Sequence, residues 1–178
     1  HTWELALGGN NLTNDLSVGL RTPLQEAEML KYKFGGAVSS MIKENHIIEV
    51  PTVGDRKARK VSQRVMVEIL EARMEEILQM VNKNICASGY RNRINAGMVI
   101  TGGTALLANI VDMAEQIFDM PVRIGYPQGV GGRLADIESP RCTTGVGLIL
   151  YGAENSRQGP RESSGVVGKL KGIMKKII

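Results

Sequence analysis

Strand-like segments alternating with helical stripes along 178 residues predict an α/β fold. Two further observations support it. A strand followed by a glycine pair and then a helix occurs twice, around Gly8-Gly9 and around Gly102-Gly103. The longest helical pattern keeps its apolar residues on one stripe and its charges on the other.

In chain order, residues 2–7 read as a strand ending at Gly8 and Gly9. Leu12, Leu16 and Leu20 make a helical stripe over 12–20, with Thr13 as the expected N-cap. Thr22 and Pro23 open a second helix over 24–34, because proline in a first turn costs little. Gly35 and Gly36 stop it. Residues 47–53 are short, β-branched and interrupted by Pro51, which predicts an edge strand. Arg56, Lys57, Arg59 and Lys60 make 54–60 a basic loop. A long helix over 62–87 follows, with Met66, Leu70, Met74, Ile77, Leu78, Val81 and Ile85 at helical spacing. Glu68, Glu71, Arg73, Glu75 and Glu76 occupy much of its other face, which reads as a solvated face or a docking surface. Residues 98–101 predict a buried strand and 105–118 a helix with Leu107, Ile110, Val111, Ala114 and Phe118 inward. Residues 122–124 form another strand and 125–140 a Gly-rich loop. The apolar helix over 143–151 is expected to close the core. Residues 152–165 are small and polar, a flexible linker by composition. No internal repeat is visible.

Composition excludes several classes of function. Hydrophobic residues make up 43% and charged residues 22%, enough for one good core. Aromatics are 4%, too few for a stacking surface on single-stranded nucleic acid, so no nucleic-acid partner is expected. No run approaches the roughly 18 apolar residues of a spanning helix. Cys86 and Cys142 stand far apart and form neither a metal framework nor a disulfide scaffold. The net charge of +4 equals the charge on Lys169, Lys171, Lys175 and Lys176, so the first 168 residues are balanced. A basic tail on a neutral body implies a local electrostatic contact.

That tail is amphipathic. At 100° per residue, Val166, Val167, Leu170, Ile173, Met174, Ile177 and Ile178 fall within an arc of about 140°, and the four lysines fall opposite. It is too short to span a bilayer, so a helix lying on an anionic surface is the natural reading. Gly168 and Gly172 weaken it in isolation, so it is expected to form on binding. Docking on the protein's own core, or in a partner's groove, are the alternatives.

Each glycine pair lets a ligand approach a helix N-terminus closely, or simply makes a tight turn. No Walker A or GxGxxG fingerprint occurs. His1 and His46 lack ligand-spaced companions, and no GxSxG, Cys-His or HExxH pattern is present, so no catalytic or metal-ligating residue is assigned.

The run LALGGNNLTNDLSVGLRTPLQEAEMLKYKFG, the block MVITGGTALLANIVDMAEQIF, the segments PVRIGYPQGVGG and SPRCTTGVGLILYG, and the amphipathic tail resemble, in this order, the C-terminal part of the FtsA family of bacterial cell-division proteins. The resemblance implies the C-terminal half of an actin-like (ribonuclease H-like) ATPase fold with a small inserted subdomain. Residues 1–35 and 89–152 would form the nucleotide-side subdomain and 36–88 the inserted subdomain that contacts FtsZ. Residues 153–165 would be the linker and 166–178 the membrane-targeting helix. Gly8 and Gly9 would lie near the phosphates of ATP, Glu28 and Lys31 would flank ribose and adenine, and Gly102 and Gly103 would lie against adenosine. Arg59, Arg73 and Glu76 match positions facing FtsZ. The family's first half, with its first phosphate loop, magnesium-organising carboxylates and self-association subdomain, lies outside this sequence. The chain therefore reads as a truncated or incomplete gene product that binds ATP poorly and does not hydrolyse it alone.

The leading expectation is an adaptor that tethers FtsZ filaments to the cytoplasmic face of the inner membrane at the division septum and helps recruit the division machinery. It would associate with other copies of its kind. The alternative is a fragment of another actin-like ATPase or of a sugar-kinase-like enzyme, and a third reading is a structural domain with a self-docked tail.

Overall fold

The computed structural model describes residues 1–52, 57–131 and 137–157. Helices α1 (Gly9–Leu20), α2 (Leu24–Phe34), α3 (Gln63–Ala87), α4 (Ile110–Phe118) and α5 (Thr143–Arg157) alternate with two small sheets. Strand β1 (Ile47–Val50) pairs antiparallel with β2 (Arg59–Ser62), with Ile47 opposite Ser62 and Val50 opposite Arg59. Strand β3 (Met98–Ile100) pairs parallel with β4 (Val122–Ile124), Met98 opposite Val122. Parallel strands need a crossover, and α4 supplies it.

The 25-residue α3 is the spine of the fold. Its N-cap is Ser62, whose hydroxyl accepts from the Val65 N–H at 3.4 Å. Met66, Val67, Leu70, Met74, Ile77 and Leu78 are buried at the expected 3–4-residue spacing. They meet Leu12, Leu16 and Leu20 of α1, Ile110, Met113, Ala114 and Phe118 of α4, and Ile48 and Val50 of β1 in one continuous core.

Several elements depart from the sequence reading. Residues 2–7 form no strand, because nothing among the described residues pairs with them, although Leu5 and Leu7 still pack on the core. Helix α1 starts at Gly9 rather than Leu12, so Thr13 lies inside it and is not its N-cap. Asn11 does the capping instead, its side-chain oxygen accepting from the Gly8 N–H at 2.9 Å while its own N–H donates to the Gly8 carbonyl. Arg59 and Lys60 belong to β2, not to a loop.

The helix expected over 105–118 is broken. Gly103–Leu106 is a 3₁₀ turn, and the Ala108 carbonyl is taken by the Ala37 N–H at 2.8 Å. That tertiary hydrogen bond removes an acceptor from the helical ladder. Asn109 then takes a left-handed conformation, φ 61°, which short polar side chains tolerate. β3 is not fully buried, since Val99 on its uncovered face is 52% exposed. α5 does not close the core. Val146 is buried, but Leu148, Ile149 and Tyr151 are mostly exposed, and the helix runs on to Arg157, into the stretch read as linker. Val53, Gly54 to Arg56, part of the Gly-rich loop, and everything from residue 158, including the amphipathic tail, lie outside the described residues.

Leu70 is fully buried at the centre of α3. Leu70→Ala is expected to lower unfolding free energy by about 2–5 kcal/mol. Val18→Ala, at a side chain 78% exposed, should stay within about 0.5 kcal/mol. Midpoints of urea unfolding, with an unchanged slope, check both.

Candidate functional site

The first turn of α1, the exposed edge of α2 and the 3₁₀ turn after β3 converge on a pocket of about 340 Å³. Glu28, Lys31 and Tyr32 come from α2, Gly9 from α1, Gly103 and Thr104 from the turn, and Arg141 from a second 3₁₀ turn, Pro140–Cys142. Glycine matters at two places here. A Cβ on Gly9 would meet the Thr104 hydroxyl at 2.9 Å, so the helix start and the turn approach as closely as they do because it is absent. Gly102 has φ 96°, a conformation that L side chains rarely adopt. Its N–H donates to the Pro140 carbonyl at 3.1 Å, which seats the turn that carries Arg141.

Lys31 is the centre of the polar network. Only 13% of its side chain is exposed. Its ammonium donates to the Gly9 carbonyl at 3.0 Å and to the Thr13 hydroxyl at 2.7 Å, and pairs with Glu28 at 2.6 Å. Thr13 in turn donates to Glu28. Burial pushes the Glu28 carboxyl upward, but the hydrogen bonds from Lys31 and Thr13, with the charges of Lys31 and Arg141, hold it below the ordinary carboxylate value. Across the mouth, the Arg141 guanidinium lies 4.7 Å from the Tyr32 ring centroid. The site thus offers one ionised carboxylate facing two cations, an aromatic ring, and the apolar side chains of Leu106 and Leu107.

Of the residues singled out from sequence, Gly9, Glu28, Lys31 and Gly103 line this pocket, and Gly8 and Gly102 precede two of them without lining it. Arg73 and Glu76 come together elsewhere. Arg73 grips Asp15 with two nitrogens, at 2.5 and 3.2 Å, and bonds Glu76. Arg59 donates instead to the Leu20 carbonyl at the other end of α1. The sequence reading missed Thr13 in its actual role, Thr104, Tyr32 and Arg141. Tyr32 adjoins Lys31 and was within reach of a helical-wheel argument; Arg141 approaches only through the tertiary fold.

The fold is that of an actin-like protein. The structure is similar to the crystal structure of MreB5 of Spiroplasma citri bound to ADP, with a TM-score of 0.62 over 88% of this chain and 48% of that one, at 18% identity. The family model of Cell division protein FtsA matches residues 1–147. The chain is 40% identical over 173 residues to Cell division protein FtsA of Neisseria meningitidis, covering 97% of this chain and 42% of that protein. It is 39% identical over 159 residues to the Pseudomonas aeruginosa protein of that name, covering 89% and 38%. The chain belongs to the FtsA family, and it spans about two fifths of the length of these relatives. Membership decides against a sugar-kinase-like enzyme or a different actin-like ATPase.

Because the Glu28 pKa is lowered on folding, the native state binds fewer protons there than the unfolded chain does. Its stabilising contribution is present above the ordinary value of 4.5 and is lost as pH falls through the lowered folded value. Glu28→Gln lacks this contribution. The stability gap between the intact chain and this variant should therefore narrow as pH falls through and below 4.5, measured by urea unfolding.

Proposed function

We propose that this chain is part of a cell-division adaptor, one that takes the base and ribose of ATP in the Glu28–Lys31 pocket, docks FtsZ on the face shared by α1 and α3, and binds an anionic membrane surface through residues 166–178. The convergence of Gly9, Glu28, Lys31 and Gly103 on one pocket, in a chain of the FtsA family, carries the reading.

The pocket's chemistry fits a nucleoside. Glu28 is ionised and held by Lys31, so it accepts hydrogen bonds from ribose hydroxyls without being left unpaired. Leu106 and Leu107 offer apolar contact to a base, and Gly9 and Gly103 leave the backbone approachable. Gly8 and Gly102 set the turns on which those two sit. Among the described residues no three His, Cys, Asp or Glu side chains gather to hold a metal, so magnesium is assigned to none of them. When bound, ATP would supply the phosphates that such a metal accompanies, and no hydrolytic role is assigned to any residue of this chain.

The α1–α3 face supports the FtsZ reading differently. Asp15, Ile69, Ala72, Arg73 and Glu76 line a groove of about 280 Å³, apolar between charges. Arg73 is already paired with Asp15 and Glu76, so an acidic peptide must exchange with these carboxylates rather than meet a bare cation. Arg59 joins β2 to the Leu20 carbonyl of α1 and does not line that groove. The tail's lysines and apolar stripe suit the cytoplasmic face of a bacterial inner membrane at the septum, from which the adaptor would associate with other copies and recruit the division machinery.

Two measurements test this. Titration with ATP should show binding that Glu28→Gln weakens roughly tenfold, about the worth of a hydrogen bond to a charged group; an intact chain that takes up no nucleotide sinks the pocket assignment. In co-sedimentation with anionic liposomes, the intact chain should pellet, bring FtsZ with it, and stay soluble when residues 166–178 are removed. Arg73→Glu should lose FtsZ by about tenfold yet keep lipid binding. A chain that stays in the supernatant at low salt overturns the tether.

A further inference from the structure

Helix α5 carries an apolar face that nothing among the described residues covers. Leu148, Ile149 and Tyr151 are 67%, 70% and 69% exposed. At 100° per residue they fall within an arc of about 160°, on the side away from the buried Val146. Residues 142–153 contain no charged side chain, so the face has no charge to hold it in water. Gly145 and Gly152 lie between Leu148 and Ile149 around the helix, and a Cβ added at either would meet nothing within 4 Å. Open glycines among exposed apolar side chains let a second helix settle closely against this one. A contiguous apolar patch of this kind marks a contact surface.

We propose that this face is the docking site of the chain's own residues 166–178, which fold back on α5 as an antiparallel helix and leave it for the membrane. The departure to lipid rests on the membrane reading of the tail, whereas the docking does not. Three observations select this occupant. The first is pattern. The apolar residues of the tail share one stripe and its four lysines lie opposite, so a tail laid on α5 covers Leu148, Ile149 and Tyr151 and keeps every lysine in water.

The second is length. Helix α5 ends at Arg157, and residues 158–165 make a connection of about eight residues, a usual length between antiparallel helices. The tail as a helix spans about 20 Å, and Leu148 lies only about 14 Å back from the end of α5. With Val166 level with Arg157, Ile173 and Met174 come level with Leu150 and Ile149. The third is attachment. A segment on so short a tether meets the face at an effective concentration on the order of millimolar, which favours it over a separate copy of the chain.

The same apolar side chains serve α5 and lipid, so one tail occupies one partner at a time. Docking lowers the apparent lipid affinity in proportion to the fraction of tails that are free. Gly168 and Gly172 keep the docked helix marginal, so an anionic surface can take it.

Hydrogen exchange on the full chain tests this. The amides of α5 should exchange about tenfold more slowly in the intact chain than in a variant with Leu170→Ser and Ile173→Ser, which leaves the body untouched. Vesicles of equal parts phosphatidylglycerol and phosphatidylethanolamine should restore fast exchange in the intact chain. Leu148→Ser with Ile149→Ser should free the tail and strengthen vesicle binding about fivefold. Both side chains are exposed, so the α3 amides of that variant should exchange as in the intact chain and exclude misfolding. If α5 exchanges alike in the intact chain and the tail variant, the docking is wrong, and the membrane reading survives where the intact chain still binds vesicles. If the tail protects α5 but neither the intact chain nor the α5 variant binds vesicles, the docking stands and the membrane reading fails. Protection that grows with protein concentration assigns the face to a second copy and overturns the tethered tail.

Discussion

The Lys31 ammonium is the contact on which the site depends. It has three N–H donors and three partners, the Gly9 carbonyl, the Thr13 hydroxyl and the Glu28 carboxylate. A cation this far from water is tolerable only when it is fully paired. It also stands at the start of α1, where the helix dipole disfavours positive charge. The ionised Glu28 beside it offsets that field. Lys31 thereby ties α2 to the first turn of α1, and the pocket is the space left between the two helices and the Gly103 turn. Without this clasp the hydrogen bond from Thr13 to Glu28 would be left to join the two helices at the polar floor of the pocket.

A second constraint brings the other wall into place. The Ala37 N–H bonds the Ala108 carbonyl, so the chain leaving α2 runs briefly parallel to the chain entering α4. This ends the Gly103–Leu106 turn early and holds it against α2. A continuous helix over 105–118 would have carried Leu106 and Leu107 along its own axis instead of turning both toward Lys31. The break is therefore what makes the pocket three-sided. Arg141 follows from the same geometry, because the Gly102 N–H fixes the Pro140 carbonyl at the foot of that turn.

Much of this was legible in sequence where a single element decides. The stripe of α3 and the bounds of α2 follow from local spacing and side-chain chemistry, and the structure keeps them. What was not legible depends on a distant partner. Residues 2–7 have strand propensity but nothing among the described residues to pair with, and a strand is defined by its neighbour. Thr13 looked like a cap because hydroxyls favour that position, yet Asn11 reached the Gly8 amide first. The helix break at Ala108 needs a hydrogen bond from Ala37, 71 residues earlier. At the site, Glu28 and Lys31 were named through resemblance, whereas Arg141 carries no local pattern at all. Its meaning appears only when the fold lays it across Tyr32.

Helix α1 joins the two candidate surfaces. Its first turn supplies Gly9 and Thr13 to the pocket network, and Asp15, two residues further on, anchors Arg73 on the other side. Between them Leu12, Leu16 and Leu20 are buried to 2% exposure or less, so the helix cannot roll without disturbing the centre of the core. The pocket and the Arg73 groove are therefore held in fixed relation by twelve residues packed along α3. A ligand that rearranges only the exposed Tyr32 and Arg141 side chains leaves that relation intact. One that displaces Lys31 from the Gly9 carbonyl acts on the end of the same rigid element that positions Asp15. The buried network and the exposed pair thus divide the site into a part that belongs to the frame of the protein and a part that is free to follow its ligand.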